Sequence, residues 1–441
     1  MNRFVSILVA AILLTTACTS RPGSLEPSPA AITIPADQTP DLAPSDAPVS
    51  PSSTPSLPPP SESQDETAWA IYHPNPQHLW NRLFRLFFER TTGDGTEYGW
   101  DTLDPLLWPE STHMFEGDSY GQAIELLDEF LAADGARLID DPLKAAMLQR
   151  DLWAVFDWLG LGSGVPEQRF ALQARIMQII RALALTKEAI GSLPANYAAA
   201  VLSGVYPASF LAEDPGAAFL PAGFFAPDGD WICVGREGGP VAMSHTEQFP
   251  FVGRSVFLVF MRVPGSREGT LSFVQALNGA QTPGLPAGLE VALVRQALLV
   301  DMQGDLVVSP IVESIQLRQF GSSQRFYQFG LDRKLLFADV VGGLRLLEKE
   351  IPLFFSHGDG FPAGHPGEVE VPEICKACHL DAGQGIGGIT SILSFSRARF
   401  PLPDGQNPVL TVTTPAQETG KVMDWKVRQP SWENFLALWG D

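Results

Sequence analysis

The residues that promise the most chemistry stand near the C-terminus, in Ile374-Cys375-Lys376-Ala377-Cys378-His379-Leu380. Two thiols three positions apart fall on one turn of a helix, and an imidazole follows the second directly. Such a set has three uses. The thiols can cycle as a redox disulfide, they can supply half of a zinc site, or each can add across a vinyl group of haem while His379 comes to lie beneath the iron. Zinc needs two further ligands, and the chain has no second C-x-x-C and no H-x₃-H. A thioredoxin-like pair heads a long helix in a βαβ unit, and no such unit is legible here. Pro372 and Glu373 stand just ahead, where a helix would begin. Haem attachment comes first, with disulfide chemistry and other thiol uses behind it.

The motif resembles the attachment site of the c-type cytochromes, over Pro372 to about Leu393. The resemblance implies one covalent haem c per chain, held by Cys375 and Cys378, with His379 as proximal iron ligand. Small members of that family supply a Met further downstream as second axial ligand. Here the candidate is Met423, in Lys421-Val422-Met423-Asp424-Trp425, whose surroundings are polar and lack the usual Pro-rich loop. Histidines compete for the same position. His357 and His365 lie in a Gly-rich loop just upstream of the motif, and His245 precedes a strand. An open or water-bound site is the remaining alternative. After His379, the run Asp381 to Gly388 would let backbone lie close to a flat ring, and Arg397 or Arg399 could pair with propionates. His73, His78 and His113 read as surface or cap residues, and Cys233 as a buried core thiol.

These residues need a scaffold, and the periodicity predicts an α+β one. Residues 67–210 read as a helical layer. Leu79, Trp80, Leu83, Phe84, Phe87 and Phe88 recur at spacings of three and four. Ser119 is a candidate cap for a second helix, Asp141-Pro142 starts another that stops near Gly160, Pro166 opens the next through Leu183, and a short one covers Ala195 to Leu202. The Trp and Phe stripe at helical spacing reads as core. Residues 211–350 shift toward period two and read as a mostly antiparallel β region. Strands are expected at Ser255 to Val263, Glu290 to Val300, Leu306 to Leu317, Gln324 to Gly330 and Leu335 to Val341, with a hairpin turn at Met302-Gln303-Gly304-Asp305. Residues 351–441 form the small α-helical, cytochrome c-like haem segment, with a last helix from Ser431 to Trp439 that would close over the site.

The other end of the chain speaks to location. Arg3, an apolar or small run from Phe4 to Leu14 broken by Ser6, and then Ala17-Cys18 form an export signal too short to span a membrane. Leu14-Thr15-Thr16-Ala17-Cys18 resembles a bacterial lipoprotein signal over residues 1–18, which implies lipidation of Cys18 and a membrane anchor. Thr15 stands where Leu is usual, so ordinary cleavage near Ala17 is the alternative. The implied location is the cell envelope, either the periplasm or, given Thr19 in place of Asp, the outer membrane. Twelve prolines between Pro22 and Pro60, with no aromatic residue among them, mark 19–66 as a Pro/Ser-rich disordered spacer.

Composition excludes other classes. Against 50 acidic residues stand 29 basic ones, a formal net charge of −21, which leaves no electrostatic footprint for nucleic acid. No G-x-S-x-G, HExxH or phosphate-binding glycine loop offers another chemistry. The functional expectation is electron transfer to or from a redox protein partner, for which the acidic chain would suit a basic one. One alternative is a haem enzyme or ligand-binding protein with an open axial site. The other is a surface lipoprotein without haem, acting as a partner-binding module.

Overall fold

Asp141 and Pro142 begin the helix around which the rest is arranged. The Asp141 carboxylate accepts from the backbone N–H groups of Leu143 and Lys144 at 3.0 and 3.1 Å, and proline supplies a helical φ with no N–H to satisfy. The computed structural model describes residues 70–440, apart from 92–96, 99–111, 116, 162–164, 212, 215, 249–250, 280–282, 322–323, 351–368 and 371–408. In it the helical layer comprises α1 (Leu79–Phe88), α2 (Ser119–Ala132), α3 (Pro142–Leu161), α4 (Pro166–Leu183), α5 (Lys187–Gly191) and α6 (Asn196–Leu202). The aromatic stripe is core, as expected: Trp80, Phe84, Phe87, Phe88, Trp153, Phe156 and Trp158 are all buried. His78 caps α1, its Nδ1 accepting from Trp80 N at 3.3 Å. Asp118, not Ser119, occupies the cap position of α2. From Ala145 to Leu159 every residue of α3 is buried, because this helix lies between α4 and the sheet.

The sheet has seven strands, all antiparallel: β1 (Ile232–Arg236), β2 (Ser255–Arg262), β3 (Glu290–Val300), β4 (Leu306–Gln319), β5 (Arg325–Leu331), β6 (Leu344–Leu346) and β7 (Leu410–Val412). Its order is β7-β1-β2-β3-β4-β5-β6, a meander with the last strand returned to the first edge. With the helical layer it makes the α+β class that the periodicity implies. The hairpin between β3 and β4 turns where the sequence places it. Gly304 has φ +85°, and Asp301 Oδ1 accepts from the N–H groups of Gln303 and Asp305 at 2.9 and 3.0 Å.

Pro310 lies inside β4, where it cannot donate to a ladder, and the register between β3 and β4 shifts nearby, around Gln296. Side chains take over the pairing. Asn196 donates to Val312 O at 3.0 Å and accepts from Val312 N at 2.7 Å, while Gln296 Nε2 donates to Ser309 O at 2.8 Å. Gln149 engages Val300 in the same two-way manner at 2.8 and 3.2 Å.

One expected strand is not one. Leu335 to Val341 falls instead in helix α9 (Arg333–Phe337) and the start of a single 3-10 turn, Val341–Gly343. Asp332 Oδ1 caps that helix through Leu335 N at 3.1 Å, and Asp339, Val341, Gly342 and Gly343 have φ between 50° and 74°, which ends any extended run. The β region also contains helices that alternation hid: α7 (Met243–Thr246) and α8 (Arg267–Ala276), the latter capped by Ser266. After β7, a capping box of Thr414 and Gln417 starts α10 (Pro415–Lys426), and α11 (Pro430–Trp439) follows.

Candidate functional site

Cys375, Cys378, His379, His357 and His365 lie outside the described residues, as do Cys18, Arg397 and Arg399. Described on either side are the points where the chain leaves and rejoins the sheet. The chain leaves the sheet at β6, pairs Lys349–Glu350 with Val369–Glu370, and returns as β7. β6 and β7 are the opposite edges of the seven-stranded sheet, so at roughly 4.8 Å per strand the two anchor points are on the order of 30 Å apart. The return is clasped. Asn278 donates to Leu410 O at 2.9 Å and accepts from Leu410 N at 2.8 Å, and Leu410 pairs with Arg236 in the sheet.

Two of the sixth-ligand candidates are described. His245 lies on α7 with its ring stacked on Phe257, centroids 5.5 Å apart. Burial pushes its pKa down to about 4, which keeps the imidazole neutral, the form that ligates iron. Met423 lies on α10, half-buried, with its side chain against the hydrophobic core. Both stand beside β2: Phe257 belongs to it and α10 packs on it. The neutral imidazole of His245 and the thioether of Met423 are of ligand types that haem iron accepts, while the thiols and imidazole of the motif lie outside the described residues. Cys233 is a buried thiol on β1 whose pKa is pushed up to about 12 by burial, with Glu418 adding to the effect, so it is not a thiolate at neutral pH. Among the described residues, no three His, Cys, Asp or Glu are grouped to hold a metal ion, and no helix is long and apolar enough to cross a membrane.

Sequence reasoning missed a set of buried charges on α3. Asp157 Oδ2 takes Arg254 Nη1 and, at 3.2 Å, Lys426 Nζ, which also donates to Val252 O at 2.9 Å and Ser431 Oγ at 3.2 Å. Arg150 Nη2 reaches Ser255 Oγ at 2.7 Å and Glu313 Oε1 at 2.8 Å. Asp151 takes both Arg333 Nε at 3.1 Å and Nη2 at 2.5 Å, together with the Tyr72 hydroxyl at 3.1 Å. The signal was in the sequence: Gln149-Arg150-Asp151 and Asp157 interrupt the apolar run of the helix, and charges there must find partners. These pairs tie α3 to β2, β4, α9 and α10.

Comparison with protein families, with curated proteins and with solved structures finds no match.

Proposed function

We propose that this chain is a membrane-anchored, extracytoplasmic c-type haem protein that passes electrons to or from a partner protein. The observation that carries the reading is Cys375-Lys376-Ala377-Cys378-His379, in a chain that opens with an export signal ending at Cys18. When bound, haem supplies a one-electron couple whose potential depends on its axial ligands. Cys375 and Cys378 would hold it, His379 would bind iron on one side, and His245, Met423, His357 and His365 are the candidates for the other.

The test is an absorption spectrum of the chain produced with a haem-maturation system. A Soret band that stays with the polypeptide through extraction in acidified solvent is expected, as is its loss from the double variant Cys375→Ala, Cys378→Ala. Absence of the band, or its extraction from the wild type, overturns the reading. Adding carbon monoxide to the reduced protein should leave a six-coordinate carrier unchanged, whereas a shifted spectrum would replace electron transfer with ligand binding or catalysis. Replacing His245, Met423, His357 and His365 singly then identifies the sixth ligand as the one whose loss opens the site to carbon monoxide.

A further inference from the structure

Four polar residues form a row across one end of the sheet. Arg262 is the last residue of β2, Glu290 the first of β3, Gln319 the last of β4 and Arg325 the first of β5. The register pairs Arg262 with Glu290, Glu290 with Gln319, and Gln319 with Arg325. Directly opposed residues on neighbouring strands share a face, so the row is one continuous polar strip. It lines a cleft of about 500 Å³, a size at which small-molecule sites occur. Phe210, Pro264, Gly288 and Phe320 contribute further wall.

The charges along this strip do not cancel. Arg262 Nε donates to Glu290 Oε2 at 2.6 Å, and its guanidinium lies 5.3 Å from the Trp231 ring, so this pair is neutral and held in place. Glu290 is 2% exposed and Gln319 6%, so both are fixed acceptors at the base of the cleft. Arg325 meets only neutral groups. Its Nη1 donates to Gln319 Oε1 at 3.2 Å, its guanidinium lies 4.9 Å from the Phe210 ring, and among the described residues no ion pair to it is formed. The wall beside it is preformed. Gly288 has φ +75°, a Cβ there would stand 2.9 Å from Pro264 Cγ, and Gly288 N donates to Phe320 O at 2.8 Å.

We propose that this cleft binds a small organic carboxylate with an apolar body. A guanidinium presents parallel N–H donors that match a carboxylate, and Arg325 is the one in this row without an acidic partner. Phe210 and Pro264 offer apolar surface to the rest of the ligand, and the acceptors of Glu290 and Gln319 would receive a hydroxyl or amine if it carries one. In a chain of net charge −21, a guanidinium with no ion-pair partner beside the Phe210 ring is a local reversal of sign that favours an anion. The site shares no residue with the haem reading, and either can fail without the other.

The experiment is isothermal titration calorimetry of the mature chain with 3-phenylpropionate and with its neutral analogue 3-phenylpropanol. Saturable binding of the carboxylate at one per chain is expected, with affinity lower by at least about tenfold for the alcohol and for Arg325→Gln, as loss of a charge-assisted pair requires. Arg325→Lys, which keeps the charge and loses the fork, should fall between. Should Arg325→Gln fail to fold, the two probes on the wild type still decide. Equal affinity for acid and alcohol, no saturable binding of the acid, or unchanged affinity in a folded Arg325→Gln overturns the proposal.

Discussion

Lys426 is the residue whose protonation bears most directly on stability. Its ammonium is fully buried between Asp157, Val252 O and Ser431, and burial pushes its pKa down to about 8, against the pull of Asp157 and with Arg254 and Arg150 adding to the shift. The unfolded chain holds this proton up to the ordinary lysine range, so between about pH 8 and pH 10 unfolded chains bind more protons than folded ones. Stability contributed by this site therefore rises with pH across that window, and below it the cost of the buried charge is constant. The full swing is on the order of 3 kcal/mol. Lys426→Met removes the titrating group and leaves Asp157 its Arg254 partner. Urea midpoints measured from pH 7 to pH 10 should rise in the wild type relative to this variant. Parallel profiles would mean that the ammonium is hydrated.

Among the elements, α11 has the clearest energetic role. Trp432 and Phe435 lie with ring centroids 5.8 and 5.6 Å from Trp153, and Phe435 also meets Phe156 at 5.3 Å, so the C-terminal helix caps α3 with aromatic surface. Pro430 starts the helix and fixes its entry. Phe435→Ala would remove a fully buried ring from this cluster and should cost about 3–5 kcal/mol, read as a lower urea midpoint with an unchanged slope. A loss below about 1 kcal/mol would show that α11 folds onto the core without stabilising it. This helix, the element directly after the one that carries Met423, packs on α3 and is joined to its neighbour through Lys426 and Ser431.

At the scale of the whole molecule the charge dominates. An excess of 21 negative charges gives the surface a field that would favour encounter with a basic partner, such as the redox partner proposed above. If it steers association, the bimolecular rate of electron exchange with a basic single-haem carrier should fall steeply between roughly 10 and 150 mM salt, as the Debye length contracts from about 30 to about 8 Å. Stopped-flow measurement checks this. A rate independent of salt would leave the charge a contribution to solubility alone.

What the chain states locally is read correctly from its letters. The helix at Asp141-Pro142, the helix from Pro166 to Leu183, the strand from Glu290 to Val300 and the turn at Gly304 follow from caps, periodicity and turn chemistry that act within a few residues. The C-x-x-C-H spacing is local too, and its reading as a haem site is the proposal that the absorption spectrum tests. Leu335 to Val341 misleads because an apolar run of that length suits either a strand or a buried helix, and Asp332 as cap decided it. Only the tertiary structure could bring Lys426 to Asp157, Asn196 to Val312, or Arg262, Glu290, Gln319 and Arg325 into one row. Those partners lie far apart in sequence, and a buried polar group is satisfied by whatever the folded chain sets beside it, which no local pattern encodes.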